Sequence, residues 1–479
     1  MKKYSYLLKN LGLLTLSSFA SRILSFLLVP LYTSILSTKQ YGIYDMFNTT
    51  IMLLIPILTI DIVDAVLRFS LDKGRNQQDV FIIGNKWVII STLLVTLFLI
   101  INKVLGIFPT INKYSILFLL MYIFTGYSQL LQYYARGIEK IAALAVSGVI
   151  ASVVSLSLNV LFLVYFKWGL AGYFYATILG LVIPTIYLVI DLRVWKINYF
   201  KSTRNSKLEK SMIKYSIPLV LNAVSWWMNN SSSRYIVIFL CGMAQNGIFS
   251  VGYKIPSILN VFQSIFNQAW TLSSVKEFDA DDSEGFFAKT YTVYNFMMVL
   301  VCSGLILSTK ILAKILYAKD FYVAWKLVPF LMIAIVFGSI SGLLGGIFSA
   351  VKDSKAYSVS TTVGAVVNIV LSVVGVYFFG VIGAAFSNAI SFGIVWMMRV
   401  RKAKEYMVLR INFARDIFVY GLLFFQSFLI INIGNIIASY FTQFLCLAII
   451  LFVYRNDINL LIEKIKGKWW RNIRCRRFL

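Results

Sequence analysis

The chain has 479 residues, of which 59% are hydrophobic and only 13% charged, with a mean hydropathy of +0.80. A water-soluble chain carries about 25% charge, so lipid must be the solvent and a soluble globular enzyme is excluded. The net charge of +26 would point to nucleic acid in a soluble protein, but here Lys and Arg sit in short segments between apolar runs, and no basic domain exists to carry such binding.

Apolar runs predict an all-α polytopic membrane protein with about 14 transmembrane helices. They fall near 11–36, 44–68, 81–101, 114–134, 141–165, 170–190, 213–240, 248–274, 289–311, 322–350, 356–379, 380–400, 416–434 and 436–454. The first run is long, contains Arg22 and is followed by no A-x-A site, so it reads as a retained span and not a signal peptide. Pro30, Pro56, Pro184, Pro218, Pro256 and Pro329 lie inside runs and are candidate kinks. With the N-terminus in the cytoplasm, 34 of the 45 basic residues fall in inside segments and eight in outside segments. Positively charged loops stay inside, so both termini are expected in the cytoplasm.

An internal repeat runs through these spans. Gln40-Tyr41-Gly42-Ile43-Tyr44 after the first span matches Gln245-Asn246-Gly247-Ile248-Phe249 after the seventh, and Gly169-Leu170-Ala171-Gly172 matches Gly380-Val381-Ile382-Gly383. The offsets, 205 and 211 positions, are nearly constant, which suggests two six-helix repeats of the same orientation, an architecture of transporters. The expected organisation is an N-terminal six-helix half (1–190), a cytoplasmic linker (191–212), a C-terminal six-helix half (213–400), an appended two-helix hairpin (416–454) and a basic cytoplasmic tail (455–479). Lying outside the repeat, the hairpin is expected to be less essential than the two halves, and the tail with Trp469 and Trp470 reads as an interfacial segment on anionic lipid.

Three basic residues, Arg22, Arg234 and Lys254, lie within spans. A cation there costs about 2.5–3.5 kcal/mol on insertion scales, so each marks either a wet cavity or a pairing with a carboxylate. Their neighbours favour a cavity. Thr15, Ser18, Arg22 and Ser25 share one helix face, as do Asn222, Ser225, Asn229 and Ser232, and as do Lys254, Ser257, Asn260, Ser264, Asn267 and Thr271. Asp61, Asp64 and Arg68 share a face of the second span; Asp64 and Arg68, four apart, are expected to pair, and Asp61 or Asp64 is the candidate ion-coupling carboxylate. The alternative reading of these acids is a brace for the helix. The excess of cations over acids suits an anionic cargo such as a phosphate or pyrophosphate, which guanidinium binds bidentately.

No histidine exists, which removes His-based metal sites, Ser-His-Asp and Cys-His catalysis; four scattered cysteines form no CxxC, and no GxxxxGK[ST] or GxGxxG occurs. No cofactor or metal is expected. The acidic run Glu277, Asp279, Asp281, Asp282 and Glu284 reads as a solvated turn, since its spacing does not fit a calcium loop.

Taken in order, the basic N-terminus with Ser21-Arg22-Ile23-Leu24, the Gln-Tyr-Gly-Ile-Tyr turn, Tyr215-Ser216-Ile217-Pro218 and the span count make the chain resemble the multidrug/oligosaccharidyl-lipid/polysaccharide exporter superfamily. Within it the resemblance is to the bacterial polysaccharide flippases (Wzx-type). The Ser-Arg-x-Leu element is similar to that of lipid II flippases, where the arginine is implicated in the central cavity; that role transfers to Arg22 alone, because Trp227 stands at its repeat-equivalent position. The resemblance implies a flippase, not an enzyme, moving an undecaprenyl-pyrophosphate-linked oligosaccharide across the bacterial cytoplasmic (inner) membrane by alternating access for O-antigen, capsule or exopolysaccharide synthesis. The substrate-binding candidates are Arg22, Arg234, Lys254, Ser18, Ser25 and Asn229; membrane lipid, a polysaccharide polymerase and chain-length proteins are the candidate partners. The competing readings are a drug/cation antiporter of the same superfamily, which wants acids in the lumen, and a membrane polymerase or glycosyltransferase, which wants a large external loop that this chain lacks.

Overall fold

The computed structural model describes residues 26–72, 76–197 and 206–457, and the described chain is helical with short connections. Its α-helices of seven residues or more are α1 Val29–Ile35, α2 Thr38–Leu58, α3 Ile62–Ser70, α4 Gln77–Leu105, α5 Ser115–Gly137, α6 Ile141–Val160, α7 Gly169–Asp191, α8 Ser206–Cys241, α9 Met243–Gly252, α10 Ser257–Lys276, α11 Phe286–Leu316, α12 Val328–Ala350, α13 Ser354–Tyr406, α14 Phe413–Asn432 and α15 Ile436–Val453. Among the described residues ten helices are long and apolar enough to cross a membrane. The 53-residue α13 contains two of the expected spans, joined at Gly380, whose φ of 57° only glycine adopts without strain. At 36 and 20 residues α8 and α10 are long enough but not apolar enough to be among the ten. The first expected span falls mostly outside the described residues, so the count of 14 is not reached by these criteria.

Two expected spans are broken helices. The second, 44–68, starts earlier at Thr38, where Ser37 and Gln40 form a reciprocal capping box, and ends at Leu58. Ile60 and Asp61 then take left-handed backbone (φ 54° and 49°) before α3 begins. A branched side chain at positive φ is rare, so this turn is strained and held by its surroundings. The eighth, 248–274, divides into α9 and α10, with Pro256 at the N-cap of α10, where a proline cannot complete the preceding helix's hydrogen bonds.

The described residues fall into two compact units: one up to Val251 together with Leu316–Phe321, the other Gly252–Ile315 with the chain from Tyr322 onward. In the first, Phe47, Ile51, Ile55, Phe118 and Phe174 form a core between α2, α5 and α7, and Val66, Phe81, Leu130 and Met212 form another around α3. α8 belongs to this unit and lies antiparallel on α2 and α3. Trp227 Nε1 donates to Thr49 O (2.9 Å), Tyr235 and Thr50 hydroxyls meet at 2.5 Å, and Ser216 Oγ donates to Asp61 O (3.2 Å). The two glycines of the repeated turn also meet here. A Cβ on Gly42 would stand 1.9 Å from Met243 O, and one on Gly247 would stand 1.9 Å from Thr38 O, a reciprocal contact in which each glycine faces the carbonyl four residues before the other.

In the second unit α12 is the central helix, almost wholly buried. α14 packs on α12 and is bolted to α11 through buried Asp416, which accepts from Tyr291 Oη (2.9 Å) and Asn295 Nδ2 (3.1 Å), while Tyr420 Oη donates to Asn295 Oδ1 (2.8 Å).

Candidate functional site

The polar side chains of the first unit converge on two places along the α2–α8 interface. Nearer the start of α2, Arg234 reaches Asp45 (3.6 Å) and donates from Nη1 to Thr49 Oγ1 (3.1 Å). Asp45 is buried and also accepts from Asn246 Nδ2 (3.3 Å), which donates to Gly42 O as well (3.2 Å). Arg234 keeps 19% of its side chain exposed, so the carboxylate compensates the cation without enclosing it. At the other end of α2, the broken turn carries Asp61 (9% exposed), with Asp64 in the first turn of α3. Arg68 does not pair with Asp64: it turns outward to Asp72 (2.6 Å), the next i,i+4 partner, where both side chains are solvated.

The other sequence candidates are placed as follows. Asn229 is buried and donates to Ser225 O of its own helix (3.1 Å). Its neighbour Asn230 is exposed, and so are Asn222 and Trp226. Lys254, in the second unit, is half-buried in the break between α9 and α10. Arg22, Ser18 and Ser25 lie outside the described residues, as does the basic tail beyond position 457. Trp227, the repeat counterpart of Arg22, is a structural donor to α2.

Two charged residues escaped the sequence reading. Asp45 is the second residue of the expected second span, and the helix start at Thr38 places it about two turns inside the helix. Arg399, at the very end of the twelfth span, reads in sequence as the first residue of the basic segment that precedes the last hairpin. It is 4% exposed, with Nε donating to Ser360 Oγ (3.0 Å), Nη1 to Ser341 O (2.8 Å) and Nη2 to Thr361 Oγ1 (2.9 Å), and with Tyr357 stacked at 4.1 Å. Two acids of the turn 277–284, Asp279 and Asp282, serve the backbone. Asp279 accepts from Ser283 and Asp281, which holds its carboxyl below the usual range, and Asp282 caps α11 through Phe287 N and Ala288 N (both 3.0 Å).

The fold is that of known exporters. The chain superposes on the lipid II flippase MurJ in its inward closed conformation with a TM-score of 0.67, at 14% identity, covering 92% of this chain and 99% of that one. It also superposes on an inward-facing multidrug resistance MATE family transporter of the MOP superfamily with a TM-score of 0.64, at 14% identity, covering 80% and 95%. No curated protein matches the chain. The sequence model of the polysaccharide biosynthesis protein family matches residues 7–273, more than half of the chain, and the chain belongs to that family.

Proposed function

We propose that this protein is a flippase for an undecaprenyl-pyrophosphate-linked oligosaccharide, working by alternating access across the bacterial cytoplasmic membrane with both termini inside. The observation that carries the reading is Arg234: a partly exposed guanidinium, in a helix less apolar than the ten membrane-crossing ones, in a chain of the polysaccharide biosynthesis family. A cation in such a place suits an anionic head group, and guanidinium matches pyrophosphate bidentately. Arg22 and Lys254 are the further cations of the proposed path, each weak enough to hand the head group on. By helical spacing in the sequence Ser18 and Ser25 would share the face of Arg22, and Asp61 or Asp64 carries the coupling ion. The product would supply surface polysaccharide synthesis, where a polymerase and chain-length proteins act next.

The test is translocation in proteoliposomes of undecaprenyl-pyrophosphoryl saccharide, normalised to inserted protein, for Ala, Lys and Glu at positions 22 and 234. Arg→Ala should weaken substrate binding about 10- to 150-fold, the loss of a charge-assisted contact of about 1.5–3 kcal/mol. Lys should recover part, and Glu none. Equal normalised transport for all variants would refute the role. A cation-driven drug antiport reading predicts instead that Glu is tolerated.

A further inference from the structure

Asn222, Trp226, Asn230 and Arg234 follow one another at intervals of four along α8, a single ridge about 18 Å long. The structure leaves the first three uncovered. Trp226 is 47% exposed near the middle of the helix, and the amides of Asn222 and Asn230 are exposed one turn to either side. Such a ridge cannot face hydrocarbon, because two amides without water would cost several kcal/mol each. It is not an interfacial aromatic belt either, since Trp226 stands mid-span. The ridge is therefore wet.

We propose that Asn222, Trp226 and Asn230 form a saccharide-binding face, which takes the sugar part of the substrate while Arg234 takes its pyrophosphate. The chemistry of the ridge selects a neutral polyol. The indole offers a flat apolar surface of the size of one pyranose ring, and each amide both donates and accepts, as vicinal hydroxyls require. None of the three carries a charge, so they add nothing for the anion, whereas Arg234 one turn further supplies only that. Asn230 already gives one N–H to Trp226 O (2.8 Å), which fixes its side chain beside the indole and leaves its carbonyl oxygen for a hydroxyl. The order along the helix places the sugars toward Asn222 and the lipid-linked phosphates toward Arg234. The inference rests on the flippase reading above, and the following measurements separate the two.

Full-length protein in lipid nanodiscs is titrated with two probes: undecaprenyl pyrophosphate, and undecaprenyl-pyrophosphoryl-N-acetylglucosaminyl disaccharide. Wild type should bind the saccharide-bearing probe more tightly. Trp226→Ala should weaken that probe about tenfold and leave undecaprenyl pyrophosphate unchanged; Trp226→Phe should recover part, and Asn222→Ala with Asn230→Ala should lower the same preference. Equal losses for both probes, or a wild type that does not distinguish them, would overturn the saccharide face while leaving the pyrophosphate role of Arg234 standing. A wild type that binds neither probe would refute the flippase reading itself. Independently of binding, Trp226→Cys in a background without the four native cysteines should react with a water-soluble thiol reagent in open membrane fragments. Protection equal to that of a lipid-facing control such as Leu97→Cys would overturn the wet ridge, whether or not the alanine variant folds.

Discussion

Arg234 and Asp45 stand 3.6 Å apart across the α2–α8 interface, and Asn246 of α9 holds the same carboxylate. The pair joins α2 to α8, and the neighbouring Gly42–Gly247 contact joins α2 to α9. Removing one partner leaves the other charge partly buried without compensation, which costs more than removing both. Asp45→Asn should lower stability by on the order of 2–3 kcal/mol, discounted from a fully buried pair because both side chains keep some solvent. Asp45→Asn with Arg234→Gln should be more stable than Asp45→Asn alone. Thermal melts of purified protein in one detergent check this, and additive losses would show that the pair does not couple.

The glycine contact makes a sharper prediction. Gly42→Ala and Gly247→Ala each place a methyl group where a backbone carbonyl already lies, so each should cost about 1–3 kcal/mol by forcing the helices apart. Because both act on one contact, the double variant should cost less than the sum. The fraction of monodisperse protein and its melting point decide it; two variants that behave as wild type would mean that the helices separate freely here.

The proposed coupling role of the broken turn is testable. Asn tolerates left-handed backbone, so Asp61→Asn keeps the turn while removing the charge. Transport by Asp61→Asn or Asp64→Asn, normalised to inserted protein, should lose its response to an imposed proton or sodium gradient. If both variants respond as wild type does, the acids only brace the turn.

Arg399 is expected to be structural. Its guanidinium satisfies three separate acceptors on α12 and α13, which an ammonium cannot span. Arg399→Ala should destabilise by on the order of 3 kcal/mol, and Arg399→Lys should recover little. Transport per folded molecule should be unchanged in both, and a selective loss of transport would instead make Arg399 part of the path.

The appended hairpin is less separable than its position outside the repeat implies. Deleting 416–479 would strip Asp416 and Tyr420 from Tyr291 and Asn295, leaving Tyr291 only its bond from Trp396 Nε1 and Asn295 without these partners. The expected outcome is loss of inserted, folded protein. Partial transport from a well-folded truncation would show that α11 finds other partners.

The sequence by itself determined the class of the protein. Helices in lipid must satisfy their own backbone, so apolar length and period read directly as spans, and the short elements Gln40–Tyr44 and Gly380–Gly383 were legible because turns and helix starts are local. Local reading also singled out α8 through its polar stripe. What it could not supply was the partner of each charge. A four-residue spacing suggested Asp64 for Arg68, yet Asp72 has the same spacing and lies in water, where holding both charges costs least desolvation. Asp45 met Arg234, 189 positions away, only because the glycines let α2 and α9 touch while α8 lies along α2. Whether Asn229 or Asn230 faces the open side of α8 depends on about 100° of helix rotation, which is set by how Trp227 and Tyr235 dock onto α2 and not by the sequence of α8 itself.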